Sequence, residues 1–133
     1  MTAGSATAGA AVCIEAPSRG VGTELVVELW SPKAAALGDV KAIRRLILRA
    51  ARRSGSTVVS SFFYADDGGG VSGYALLKES HVSIHTRPQD GYAAIDFFTC
   101  GKADGYKAVE EIERALQPKT LAVTQLDRGC PTQ

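Results

Sequence analysis

An α+β fold, a two-layer sandwich with a mainly antiparallel sheet and two helices on one face, is what this sequence predicts. Three observations lead there. Several short runs rich in β-branched and aromatic residues alternate apolar with polar positions. Two longer segments repeat their apolar residues at helical spacing. The resulting order, β-α-β-β-β-β-α-β, is met by one antiparallel sheet carrying both helices on the same side.

The elements follow in chain order. Thr23 to Trp30 reads as a strand, with Leu25, Val27 and Leu29 alternating against Val26 and Glu28. Gly38-Asp39 precedes Val40 to Arg53, an amphipathic helix that Asp39 can cap and Gly55 can terminate. Arg44, Arg45, Arg49, Arg52 and Arg53 fall mainly opposite Val40, Ile43, Ile47 and Ala51, so they read as a solvated helix face. Ser56 to Tyr64 is a second strand. Asp66-Asp67-Gly68-Gly69-Gly70 is a turn that can bring backbone close to a ligand. Val71 to Lys78, His81 to Thr86 and Tyr92 to Thr99 follow as strands, the last two joined through Pro88-Gln89-Asp90-Gly91. Asp104 to Leu116 is the second helix, with Tyr106, Val109, Ile112 and Leu116 on one face, and Thr120 to Leu126 closes as a strand.

Composition narrows the function classes. A chain of 133 residues is most simply one domain, and a formal charge of +1 gives no argument for nucleic acid or a membrane surface. The three cysteines, Cys13, Cys100 and Cys130, form no CxxC pair and are odd in number. That speaks against a disulfide framework or a zinc site and for a reducing compartment. No apolar run has the length of a transmembrane helix, and Met1 to Ala11 lacks the basic start and apolar core of a signal peptide. The expectation is a cytoplasmic protein with a poorly ordered tail over residues 1–20 and one domain over residues 21–133.

Chemistry concentrates in Glu79-Ser80-His81-Val82-Ser83-Ile84-His85-Thr86 and Phe98-Thr99-Cys100-Gly101. The only two histidines of the chain bracket one serine here, and a thiol follows. A hydroxyl, an imidazole and a thiol are the groups that nucleophilic attack, proton transfer and reprotonation require. Taken singly, each has a plainer explanation. Ser80 is a strand residue, His81, Ser83 and His85 line one polar face, and Cys100 is a small buried hydrophobe.

Taken together they carry a resemblance. Gly70-Val71-Ser72-Gly73, Glu79-Ser80-His81-x-x-x-His85-Thr86, Pro88, Gly91-Tyr92-Ala93-Ala94-Ile95-Asp96 and Phe98-Thr99-Cys100-Gly101 resemble the prokaryotic S-adenosylmethionine decarboxylase family, over about Thr23 to Gly129. The resemblance implies a self-processing proenzyme. Ser80 attacks the carbonyl of Glu79, and the chain is cut between them into a β fragment, Met1 to Glu79, and an α fragment, Ser80 to Gln133. Ser80 becomes a pyruvoyl group that forms a Schiff base with the substrate amine. Ser72 and His85 assist processing and Cys100 is the proton donor in decarboxylation. The same resemblance implies no metal, a small-molecule substrate, and a homodimer of processed αβ protomers with sites at or near the subunit interface.

The substrate-binding positions depart from the family. Its adenine-stacking phenylalanine, four residues before the glycine of Gly-Val-Ser-Gly, is Asp66 here. Its His-Thr-Trp-Pro-Glu or His-Thr-Tyr-Pro-Glu is His85-Thr86-Arg87-Pro88-Gln89, so an aromatic becomes arginine and a ribose-binding carboxylate becomes Gln89. A stacking platform contributes roughly 1–3 kcal/mol per base, so its loss matters. Phe62, Phe63 or Tyr64 could supply the platform from a shifted register, or Arg87 could stack on adenine itself. The expectation drawn is a changed substrate, L-ornithine or L-arginine, with Asp66 receiving the side-chain cation and Arg87 the α-carboxylate. The alternatives are the ordinary reaction on S-adenosylmethionine, which supplies the aminopropyl donor for spermidine, and a non-catalytic regulatory subunit.

Overall fold

Alternation along the strands decides which side of the sheet is dry. In β1 (Gly22–Trp30), Leu25, Val27 and Leu29 are buried while their neighbours are partly open. The same pattern runs through β5 (Tyr92–Cys100), where Ala93, Ile95, Phe97 and Thr99 are buried. In β4 (Ser80–Arg87) it buries Val82, Ile84 and Thr86. With β2 (Val58–Ala65), β3 (Val71–Leu77) and β6 (Thr120–Arg128), these form one six-stranded antiparallel sheet in the order β2-β3-β4-β5-β1-β6. The computed structural model describes residues 20–31 and 33–130. The expected tail over residues 1–20, Gly20 apart, lies outside the described residues.

Two helices supply the other half of the core. Ile43, Leu46, Ile47, Leu48, Ala50 and Ala51 of α2 (Val40–Arg53) are buried, as are Ala108, Val109, Ile112 and Leu116 of α3 (Gly105–Leu116). These side chains join the inward residues of the sheet in one cluster. Asp39 caps α2 by accepting from the Ala42 N–H, and Asp104 caps α3 by accepting from the Tyr106 N–H. Gly55 follows α2 with φ +89, a conformation that glycine adopts without a Cβ clash. The five arginines of α2 are exposed, as expected, but not all are merely solvated. Arg49 and Arg53 reach Glu111 of α3, a buried carboxylate that also pairs with Arg114.

The sequence reading is corrected at four places. A short helix, α1 (Ala34–Leu37), precedes α2, because the Lys33 carbonyl accepts from Ala36 and Leu37 and drives Leu37 into the core. Four residues are too few to show a period. β2 starts at Val58 rather than Ser56, since Ser56 is buried against the Ser54 hydroxyl at the end of α2. β4 starts at Ser80 rather than His81. Cys130 is disulfide-bonded, while Cys100 is a free thiol; an odd number of cysteines still permits one pair. No helix among the described residues is long and apolar enough to cross a membrane.

Among the described residues the opposite face of the sheet carries no helix. Tyr64, Ser72, His85, Ala94 and Glu28 form a row across it, one residue per strand. Phe62, Tyr64, Tyr74, Leu76 and Trp30 all lie between 41% and 59% exposed. That is a large apolar and aromatic display for a sheet face, and the residues of the resemblance are spread over it and its ends.

Candidate active site

The residues divide into two groups at opposite ends of β4. The first group surrounds the peptide bond between Glu79 and Ser80. The β3–β4 hairpin turns at Lys78-Glu79, and Glu79 Oε1 accepts from the Thr57 N–H at 2.9 Å. The Thr57 carbonyl in turn accepts from the Lys78 N–H at 2.9 Å, so the turn is tied to the start of β2 by both groups of one residue. Across the sheet, the Glu79 carbonyl oxygen accepts from the Cys100 N–H at 3.1 Å and from Cys100 Sγ at 2.9 Å. Two donors therefore meet the oxygen that gains negative charge when a nucleophile attacks this carbonyl.

Ser80 follows with φ 149, a backbone region that side-chain-bearing residues rarely occupy. It is half-buried, opposite Thr99 on β5, and its Oγ lies 3.2 Å from His81 Nδ1. The His81 ring meets the Phe98 ring edge-on, with centroids 6.0 Å apart. A cavity of about 280 Å³ opens beside Cys100, lined also by Thr23, Thr99, Gly101 and Asp127.

The second group lies at the far end of β3 and β4. Ser72 Oγ and His85 Nδ1 are 2.9 Å apart on the open face, as direct cross-strand partners. Below them Thr86 points the other way. Its Oγ1 donates to the Leu37 carbonyl at 2.7 Å and accepts from the Val71 N–H at 2.8 Å, which fixes β4 to β3 and to α1. Ser80 and His85 are five residues apart on one extended strand. At about 3.3 Å per residue, roughly 16 Å of strand separates them. One chain does not bring its Ser72–His85 pair to its own Ser80.

Asp66, Arg87 and Gln89 cluster near the second group. The loops 66–70 and 88–91 adjoin, for a Cβ placed on Gly68 would lie 4.0 Å from Gln89 Nε2. Asp66 is partly engaged within its own turn. Its Oδ1 accepts from the Gly68 and Gly70 N–H groups at 3.0 and 2.9 Å, and its own N–H donates to the Gly70 carbonyl. Arg87 is likewise engaged, its Nε 2.7 Å from Asp90. Gln89 is exposed on the 3-10 turn Pro88–Asp90. Beside Ser72, Phe62 and Tyr64 hold their rings 6.1 Å apart and exposed.

Sequence reasoning gave His81 no role, although its place next to Ser80 was the available signal. It also passed over Tyr92, which joins Trp30 in a ring contact of 5.2 Å and donates its hydroxyl hydrogen to Glu28 at 2.7 Å. Burial, then the bond to Glu28 and the charges of Glu28 and Asp96, push the Tyr92 hydroxyl up to about 12. Among the described residues no group of three His, Cys, Asp or Glu side chains is arranged to hold a metal ion.

The chain is similar to known proteins over most of its length. The family model described as S-adenosylmethionine decarboxylase matches residues 23–129. The S-adenosylmethionine decarboxylase proenzyme of Methanococcus maripaludis is 37% identical over 110 residues, covering 82% of this chain and 90% of the relative. The proenzyme of Thermotoga maritima is 41% identical over 112 residues, covering 84% and 86%. The crystal structure of the adenosylmethionine decarboxylase from Aquifex aeolicus superposes with a TM-score of 0.79 at 32% identity, covering 87% of this chain and 97% of that one. Matches of that length span both residue groups and every strand between them, so the chain belongs to the S-adenosylmethionine decarboxylase family, the pyruvoyl-dependent decarboxylases of polyamine biosynthesis made as proenzymes.

Proposed function

We propose that the chain cuts itself between Glu79 and Ser80 and, once processed, decarboxylates S-adenosylmethionine. The observation that carries this reading is the first residue group. A half-buried serine follows a carbonyl held by two donors, on a backbone strained at the serine itself. That is the geometry an intramolecular acyl shift asks for: a nucleophile next to a polarised carbonyl, and a peptide bond whose loss relieves strain. Members of the family form their pyruvoyl group from such a serine, with no metal. Ser80 and Cys100 fit that group, since the new terminus would sit beside a free thiol and an open cavity. When present, the pyruvoyl carbonyl supplies the electron sink that decarboxylation needs. Cys100 then holds the proton to be returned to the substrate carbon.

The second group completes the site from another copy of the chain. Two chains related by a two-fold axis across their open sheet faces set the Ser72–His85 pair of one protomer against the Ser80 end of its partner. The separation of the two groups along β4 and the uncovered aromatic face both support this reading.

The substrate follows from the same positions. Asp66 Oδ1 holds its own turn and Arg87 is paired to Asp90, so a basic amino acid would compete with partners that both groups already have. Phe62, Tyr64 and Tyr74 offer exposed aromatic faces beside Ser72, the kind of surface a nucleobase stacks on. The basic amino-acid reading rests on Asp66 and Arg87, which stand where the family has aromatics, and on Gln89, which cannot chelate ribose hydroxyls as a carboxylate does.

One competition assay separates the two. Processed protein is given equal S-adenosylmethionine, L-ornithine and L-arginine, and the product amine is identified by mass. Decarboxylated S-adenosylmethionine as the main product supports the proposal; putrescine or agmatine overturns it in favour of the amino-acid reading.

A further inference from the structure

The geometry points to His81 as the base that takes the proton from Ser80 when the chain cuts itself. The inference rests on the reading that cleavage occurs between Glu79 and Ser80, and it assigns a residue to the first step.

Successive side chains on a strand point to opposite faces, so a serine and the histidine after it should diverge. Here they meet. Ser80 has φ 149 instead of a strand value, and its Oγ comes within 3.2 Å of His81 Nδ1. The unusual backbone thus does two things: it strains the bond to be cut, and it delivers the nucleophile to a base. The imidazole is held in turn by the edge-on contact with Phe98. Leu76 lies across from His81 on β3. Beyond the Phe98 ring the Arg128 guanidinium sits 5.1 Å from its centroid and is paired with Glu24 at 3.0 Å. His85, the other histidine, stands roughly 16 Å along the strand from the Ser80 of its own chain.

The step balances without any added reagent. A neutral ring protonated at Nε2 leaves Nδ1 as the acceptor. Nδ1 takes the Oγ proton as Oγ bonds to the Glu79 carbonyl carbon, and the electron pair of that carbonyl moves onto its oxygen. The oxygen rests against the N–H and Sγ of Cys100. When the carbonyl reforms, the carbon–nitrogen bond breaks and the proton passes from the imidazole to the Ser80 nitrogen. The product is an ester isomeric with the starting peptide.

The test uses the full chain, with cleavage followed by intact mass in the presence and absence of hydroxylamine, which cuts an ester but not a peptide bond. The wild type should divide into fragments 1–79 and 80–133; failure to do so would remove the reading beneath this inference and not the inference alone. His81→Gln and His81→Asn are expected to stay uncut at least about 10²-fold longer, the scale general-base catalysis supplies. Their intact chains should resist hydroxylamine, because no ester has formed. Added imidazole should restore cutting to His81→Gly, since the ring position is exposed. Circular dichroism matching that of the wild type distinguishes a blocked step from misfolding, and Asn, with an acceptor near the place of Nδ1, is the variant kept for that control. Cleavage of both variants at the wild-type rate would overturn the assignment. So would intact variants that hydroxylamine cuts, because the block would then lie after the ester.

Discussion

Cys100 holds the Glu79 carbonyl oxygen through two donors, its backbone N–H at 3.1 Å and its Sγ at 2.9 Å. One residue therefore serves the carbonyl before cleavage and stands beside the new terminus after it, and substitutions can part the two duties. Cys100→Ala keeps the N–H and loses the thiol, so self-cleavage should slow by about tenfold, less than the loss of a full oxyanion donor. Cys100→Ser keeps a donor and should cleave near the wild-type rate. Its hydroxyl is a much weaker acid, so decarboxylation by the cleaved protein should fall by at least about 10²-fold. Gel densitometry of the fragments and carbon dioxide release read the two rates separately.

A shared site makes a sharper expectation. Ser80→Ala and His85→Ala chains, made separately, should each remain uncut. Made together with distinguishable tags, they should assemble one complete site, from the Ser80 of the His85→Ala chain and the His85 of the other. Intact mass should then show the His85→Ala chain divided and the Ser80→Ala chain whole. A mixture that stays uncut would count against the shared arrangement.

Thr86 is a structural counterpart to its neighbour His85. Its hydroxyl accepts from the Val71 N–H and donates to the Leu37 carbonyl, both in the buried layer. Thr86→Val leaves those two backbone groups without a partner, at a cost of about 2 kcal/mol. Denaturant midpoints in the uncleavable Ser80→Ala background should show that loss, with the fold retained.

Tyr92 gives an alkaline signature. Burial and the neighbouring Glu28 push its hydroxyl up to about 12 from the ordinary value of 10.0. Below the lower value both folded and unfolded chains keep the proton, and the stabilising contribution is complete. Between the two values the unfolded chain loses the proton first, so stability declines as pH rises and the contribution is gone above about 12. Ultraviolet titration should show one late tyrosinate step that Tyr92→Phe abolishes.

Much of this could be read from the sequence, and the parts that could not have physical reasons. Alternation in β1, β4 and β5 placed the strands within a residue or two, because burial on one face imposes a strict period. The order of strands did not follow from that pattern, nor did α1, which is held by the two bonds to Lys33 rather than by a repeat. The role of Asp66 in its own turn was not legible, because its two bonds to Gly68 and Gly70 exist only once the turn has closed. The distance between Ser80 and His85 was legible all along in the count of residues on one strand. The resemblance implied only sites at or near a subunit interface and did not assign these residues to one copy or another. His81 was hidden for a different reason: on a regular strand it would face away from Ser80, and only the backbone angle at Ser80 turns the two together.

The length of β4 has a kinetic consequence. With Ser80 at one end and His85 near the other, the shared site proposed above needs the His85 of a second chain. On that proposal, completion of the chemistry is second order in protein while the chains are mostly unpaired. Freshly made chains at low abundance would persist uncut, and doubling their number would raise the initial rate of maturation fourfold rather than twofold. Activity would switch on with accumulation, timed by encounter.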